Sequence, residues 1–421
     1  MKTYHLKKTI FFLTLLGSSH ASWAACNQTL SPGANVASAV SSAANGSTIC
    51  LNSGNYGSVN FYDMARTGYV TVTSTTGTGA IMSPKVGNSD YIRFDRMSLS
   101  SMQINNGSTN IQIANSTFLP NKTGLAVIAS SKILVDNVDF TSVNQATWSG
   151  RVSLNNASYT TITNSKFVGV GKDSSNVKVG AADGIMIIGQ ASNNTIGPNN
   201  LFADILQSVC DVANPGSHCD SIQFYGAGPG NVITGNHFVN DNIFIMAPDG
   251  VDKVTVTNNV FNGDAFPTYD WKIQFGSANG IVFEHNTLTN TGVTFDSKPG
   301  NSASTNISAK NNIIKDKSIK TTGGSGCTPN CVFNYNTFGS SGSAIGSSNL
   351  IGIPTFTGGT KPTAFSGYKL TSSSIGYLKA TDGKDMGTSY YGSGAITTPS
   401  DTTTTPSGTT TLAAPTNLRL N

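Results

Sequence analysis

Residues 216–226 read GSHCDSIQFYG. His218, Asp220 and Gln223 place an imidazole, a carboxylate and an amide close together, which supplies a base, a proton or ion site, and a group that binds hydroxyls. Asp220, Ile222 and Phe224 alternate with Ser221, Gln223 and Tyr225, which is the period of a strand. A solvated strand has a polar face anyway, so this stretch alone does not separate a site from solubility. Four other stretches share its pattern: GRVSLNN (150–156), ADGIMIIG (182–189), DNIFIMAPDG (241–250) and DWKIQFGS (270–277). Aligned on Val152, Ile185, Ile222, Ile243 and Ile273, they place Asp183, Asp220 and Asp241 in one column. Arg151 and Lys272 then flank that column. Gln223 and Gln274 share the position after the core residue, and Tyr225 and Trp271 lie on the same strands. Tyr225, Trp271, Tyr269 and Phe244 are sugar-stacking surfaces if exposed and ordinary packing if not. One Asp at the start of a strand is usually a turn residue, as Asp249 is expected to be in Pro-Asp-Gly. A column of three with basic neighbours points to function.

Such a column requires stacked strands, and the chain carries a repeat that supplies them. An alternating apolar pair, an Asn and a large apolar residue recur, as in NIQIANSTF (110–118), YTTITNSKF (159–167), NVITGNHF (231–238) and KVTVTNNVF (253–261). Irregular repeats of this kind, with strand and turn signals and no helical period, mean stacked coils of strands. Asn200, Asn236, Asn259, Asn286, Asn312 and Asn336 each stand two residues before the closing apolar residue. Equivalent residues on stacked coils lie about 4.8 Å apart. A buried column of Asn at that spacing can satisfy its own donors and acceptors. Asn also tolerates the left-handed backbone that such a corner needs.

At this point the chain resembles the right-handed parallel β-helix proteins of the pectate-lyase-like superfamily, over roughly residues 26–394. YKLTSSSIGYLKATDGKDMGTSYYG (368–392) resembles the closing coil of secreted β-helix proteins. The resemblance implies an all-β, single-stranded right-handed parallel β-helix with an Asn ladder. It is specific for fold and leaves the reaction open, because members include lyases, hydrolases, epimerases and adhesins. As a lyase acting on an acidic polysaccharide, the chain would use His218 or Lys272 as base and Arg151 as substrate clamp. Asp183, Asp220 and Asp241 would then hold Ca2+ through oxygen ligands. Nearby carboxylates oppose the lowered pKa that a lysine base needs, which favours His218. As a hydrolase, Asp183 and Asp220 would be acid and base. AADGI resembles part of the polygalacturonase pattern, but the doubled Asp of that family is His-Cys-Asp here and its Gly-His-Gly is absent. As an adhesin, the chain would need only a stable stack and a glycan-binding surface. An enzyme predicts a polar column open to solvent in a groove; a structural protein predicts the same groups spent on backbone hydrogen bonds.

Composition sets the remaining bounds. Only 11 % of the 421 residues are charged, which excludes a highly charged tail protein and argues against nucleic acid as a partner. Lys2, Lys7 and Lys8, the apolar run from Thr9 to Leu16 and Ser22-Trp23-Ala24 read as a signal peptide over 1–24. That run is too short to span a bilayer. The mature chain is expected in the periplasm or outside the cell, as a monomer with a polysaccharide partner and no organic cofactor. The cysteines suit an oxidising compartment, and local pairs Cys26–Cys50, Cys210–Cys219 and Cys327–Cys331 are the simplest pairing. Residues 25–394 form the β-helix domain, and the Thr-, Ser- and Pro-rich residues 395–421 form a linker or tail.

Overall fold

The structure, a computed structural model, describes residues 25–144, 150–170, 183–206, 210, 219–268, 271–295, 302–321 and 326–389. The segment read as a signal peptide and the tail lie outside the described residues. Successive coils visit three sheets in turn, as in Thr161–Thr163, Lys166–Val168 and Asp183–Ile188. The next coil then pairs Thr195–Ile196 beside Thr161–Thr163. Every named strand pairing among the described residues is parallel, and the sheets contain 12, 13 and 8 strands. The fold is a parallel β-helix. Alternation along each strand puts one set of side chains inside, where they form a single apolar core from Val36 to Phe338.

Repeat and ladder are where the sequence places them. Nδ2 of Asn200 donates to Oδ1 of Asn236 at 3.0 Å, and the same bond links Asn236 to Asn259 and Asn259 to Asn286 at 3.0 Å. Asn286 continues to Asn312 at 3.2 Å and Asn312 to Asn336 at 3.0 Å. The backbone N–H of Asn336 then donates to Asn349, adding one more coil at 2.8 Å. The left-handed backbone falls one residue earlier than expected: Asn199, Gly235, Asn258, His285, Asn311 and Tyr335 carry φ between 54° and 64°. The ladder Asn residues stay out of that region because their side chains must point inward along the stack. Beside them, the rings of Phe118, Phe140, Phe167, Phe202, Phe238 and Phe261 stack with centroids 4.7–4.8 Å apart, the inter-strand spacing. The three expected disulfides form.

The helix Val36–Ser42 covers the N-terminal end of the core with Val36, Ala39 and Val40. Arg66 closes the C-terminal end of that helix by donating to the carbonyls of Val40, Ser41 and Ala43. The opposite end departs from expectation. Residues 368–389 do not form a closing coil. They run back along the 8-stranded sheet, with Thr381 N–H on Asn311, Thr388 N–H on Thr287 and Thr388 Oγ1 on the carbonyl of Asn258. Phe356, Phe365, Tyr368, Leu370 and Met386 bury the outer side of Val260 and Ile313 there. The alternation that a coil strand needs is broken by Ser, Gly and Asp, so the segment lies on the stack instead of extending it.

His237 sits under this strap, 6.0 Å from the ring of Phe365 and 5.9 Å from that of Tyr368. Among the described residues, neither ring nitrogen has a hydrogen-bond partner. Burial pushes its pKa down to about 3. An unfolded His binds a proton below about pH 6.5, whereas buried His237 does not until about pH 3. The stability it contributes is therefore present above pH 6.5 and lost as pH falls. His285 lies under the same strap, paired at 3.5 Å with the strap's Asp382, which also pairs with Lys384 at 3.2 Å. Asp264 faces Tyr368. We expect the stability difference between the wild type and His237→Leu to change by about 1.4 kcal/mol per pH unit between pH 6 and pH 4, in favour of the variant at low pH. Urea titrations across that range check it, and a difference independent of pH would refute it.

Candidate functional site at the corner of the long sheet

Strands Gly150–Asn155, Asp183–Ile188, Ile222–Tyr225, Ile245–Ala247 and Trp271–Phe275 are consecutive neighbours in the 13-stranded sheet. Their register runs Val152↔Ile185↔Ile222↔Ile245↔Ile273. Ile245, not Ile243, stands level with Ile222. Asp241 is thus displaced by two residues from the expected column. Phe244 turns inward, its ring 5.8 Å from Phe238 and 5.6 Å from Phe261. Asp183 and Asp220 remain neighbours in the column, with Gly150 below and Ile243 above.

Asp241 still reaches the same corner. Its Oδ1 accepts the backbone N–H of Ile205 at 2.7 Å, and its Oδ2 accepts the hydroxyl of Ser221. Asp183 Oδ1 accepts the backbone N–H of Asp220 at 2.8 Å. Arg151, on the outward face of its strand, donates through Nη2 to the carbonyl of Gly169. Among the described residues, its Nε and Nη1, with Ser153 Oγ on the same face and Asp183 Oδ2, have no hydrogen-bond partner. Arg151, Asp183, Asp220, Asp241 and Lys272 are all 0 % exposed. The expected open column is therefore a buried corner.

Burial controls the charges. It raises the Asp183 carboxyl well above its ordinary value, and the neighbouring Asp220 adds to this. Burial raises Asp241 to about 8 against the hydrogen bonds from Ser221 and Ile205. Burial lowers Arg151 to about 10, opposed by the fields of Asp241 and Asp183. Several carboxylates cannot ionise together in a dry corner containing one guanidinium, so the cluster retains protons.

The donor set does not suit the calcium ion expected from sequence. Three of the carboxylate oxygens already accept hydrogen bonds. Arg151 already brings positive charge to the same corner. Among the described residues, no group of three or more His, Cys, Asp or Glu side chains is placed to hold a metal ion.

The other sequence candidates separate. Lys272 stays in the Arg151 column but four coils away, on the order of 19 Å, with its ammonium 5.6 Å from the ring of Phe266. Gln223 faces outward and is nearly buried, Gln274 is half-buried, and Tyr225 is 56 % exposed. Trp271 lies in its strand, but its side chain lies outside the described residues, as do His218 and Tyr269. Asp249, read as a turn residue, lines an open depression of about 380 Å³ with Ile188, Gly189, Tyr225 and Gly226. The sequence reading missed Ser153, Ile188, Gly189 and Gly226. The signal for the two glycines was a corner column read coil by coil.

No family profile matches this sequence, and no curated protein matches it. Solved structures with a similar course include the PL6 family polysaccharide lyase Pedsa3628 from Pseudopedobacter saltans, 15 % identical over 86 % of this chain and 99 % of that one, with a TM-score of 0.46. A variant of the PL6 family alginate lyase AlyGC is 13 % identical over 86 % of this chain, with a TM-score of 0.45. Pectate lyase Pel9A is 15 % identical over 86 % of this chain and 96 % of that one, with a TM-score of 0.40. The chain spans 58 % of the length of AlyGC. The parallel β-helix expected from the sequence is carried by this chain's own strand pairings.

Proposed function

We propose that the protein is an exported carbohydrate-active β-helix that cleaves an acidic, uronate-containing polysaccharide by β-elimination. The observation that carries this reading is Arg151, a buried guanidinium whose Nε and Nη1 meet no acceptor among the described residues, beside the likewise unpartnered hydroxyl of Ser153. Buried donors of this kind are costly unless something accepts from them. A uronate carboxylate fits, because it is an anionic acceptor that forms charge-assisted hydrogen bonds with a guanidinium. Asp183, held protonated by burial, can donate to the same carboxylate instead of repelling it. Neutralising the carboxylate acidifies the C–H beside it. A base removes that proton, the electrons form a C=C bond, and the adjacent C–O bond breaks. The leaving oxygen then takes a proton. His218 keeps the base role, because Lys272 is too distant from Arg151 to act on the same sugar. In this reading Asp220 would serve as acid or base and Gln223 and Gln274 would bind hydroxyls, while Asp241 holds the hydroxyl of Ser221. The signal-like N-terminus and the disulfides support export.

A non-catalytic glycan-binding β-helix is the second reading. It is favoured by the full burial of the corner and by the hydrogen bonds that Asp183, Asp241 and Arg151 make with the backbone.

The test is incubation of the mature protein with acidic polysaccharides, with and without calcium, following ultraviolet absorbance and reducing ends together. Both signals rising, independent of calcium, is the expected result. Reducing ends alone would replace elimination by hydrolysis, with Asp183 and Asp220 as acid and base. Neither signal on any polymer would leave the binding reading.

A further inference from the structure

We infer that the strap, with the loop that leads into it, is an acid latch: the leading loop, residues 357–369, lets go of the stack in acid while residues 381–389 hold. The inference takes nothing from the reading of Arg151. Phe356 and Leu370 pair as an antiparallel bridge at the base of the loop. Among the described residues, the loop's backbone bonds run within it, from Thr357 N–H to the carbonyl of Lys369 at 2.8 Å and from Gly358 N–H to that of Gly367 at 2.9 Å. The Tyr368 hydroxyl closes it by donating to the carbonyl of Pro362 at 2.8 Å. These bonds survive when the loop swings out about its base, so opening breaks packing contacts and leaves the loop's own structure intact. The run behind it is tied to the coils instead. Gly387 N–H donates to the carbonyl of Asn311 at 2.7 Å, and Thr388 N–H donates to Thr287 Oγ1 at 3.0 Å. The Asn311 side chain bonds both the N–H and the hydroxyl of Thr381.

What lies beneath each half decides its response to protons. The turn Phe365–Tyr368 covers His237, whose ring is 6.0 Å from that of Phe365 and 5.9 Å from that of Tyr368. His237 is 4 % exposed, and among the described residues its nitrogens meet no hydrogen-bond partner. An imidazolium there would be a buried, unpaired charge. Opening the loop brings water to the ring, and a proton follows. The titratable groups on the elements around it are Lys166, level with it two coils before, Asp204, Asp241 and Asp264, just past its own and the neighbouring strands, and Tyr368 and Lys369 in the loop. Burial is what lowers its pKa to about 3. Closure is therefore strongest above about pH 6.5, the ordinary imidazole value, and weakens about tenfold per pH unit below it until about pH 3. Under the other half, His285 faces Asp382 at 3.5 Å. Slight burial works against the charge on Asp382, but Lys384 and His285 outweigh it and hold the carboxyl below its ordinary value. A proton on His285 meets a carboxylate there and strengthens the contact. Opening the loop uncovers Val260 together with Phe365 and Tyr368, so the acid form bears an apolar surface that the neutral form hides.

The test is hydrogen–deuterium exchange read by mass spectrometry on the full chain, between about pH 7.5 and about pH 4.5. Peptides from residues 357–369 are compared with peptides from residues 381–389. Both segments sit in the same solvent, so their ratio removes the effect of pH on intrinsic exchange. The opening equilibrium of the leading loop is expected to rise about 100-fold relative to that of the run behind it over this range. His237→Leu should abolish the rise. Leu201 stands level with His237 on the preceding coil, so the sheet accepts leucine at this position, and thermal unfolding checks that the variant folds. If it does not fold, the ratio in the wild type decides alone. Anilinonaphthalene sulfonate, which binds exposed apolar surface, should brighten in acid with the wild type and not with His237→Leu. A ratio that stays constant with pH would overturn the inference. So would a rise that His237→Leu retains, and so would release of both segments together.

Discussion

Replacing Arg151 with methionine is expected to lower kcat/KM on the cleaved polymer by about 10²- to 10⁴-fold, the range for losing one buried electrostatic stabiliser. The same variant is expected to be as stable as the wild type, or more stable. The guanidinium is fully buried, and among the described residues its only hydrogen bond is the one from Nη2 to Gly169. Replacing an incompletely paired buried charge by an apolar side chain of similar length relieves desolvation. Burial already favours the protonated forms of Asp183 and Asp241, so removing the nearby charge strands no ionised carboxylate. Steady-state kinetics and urea denaturation on one preparation check both halves. Retained activity with a large loss of stability would make Arg151 a fold residue and remove the observation on which the elimination reading rests.

The largest stability effect is expected at the centre of the Asn ladder. Oδ1 of Asn259 accepts both the backbone N–H and Nδ2 of Asn236, at 2.9 and 3.0 Å. Its Nδ2 donates to Asn286 Oδ1 and to the carbonyls of Ile233 and Thr257. Asn259→Ala leaves several buried groups without partners, at a cost of about 4 kcal/mol. Asn279 provides the control. It belongs to an exposed ladder, donating to Asp252 at 2.7 Å and accepting from Asn306 at 2.7 Å. Water replaces those bonds, so Asn279→Ala should cost less than about 1 kcal/mol. Chemical denaturation of the two variants tests the contrast, and equal costs would show that the buried ladder is not a cooperative network.

Much of the coil stack was legible because its signals are local and repeated. Asn two residues before a large apolar residue, coil after coil, specifies a buried corner that only stacking can satisfy. Phe at the closing position specifies the ring stack. The cysteines pair locally, and the structure keeps those pairs.

The candidate site was legible only in part. Asp183, Asp220 and Arg151 meet as the alignment predicts. Asp241 misses the column because Ile243 and Ile245 have the same parity. A register shift of one residue exposes the core face and is visible in the pattern, whereas a shift of two preserves the pattern and is invisible. Only the packing of Phe244 against Phe238 and Phe261 selects Ile245. Burial was equally hidden from the sequence, since alternation tells which side chains leave the core but not what covers them. The strap of residues 368–389, the buried corner and the depression beside Tyr225 all follow from contacts between residues distant in the chain. The sequence thus determined the coil, its ladder and the residue types at the corner. The tertiary structure alone decided the two-residue register, and with it which polar groups are spent on the fold.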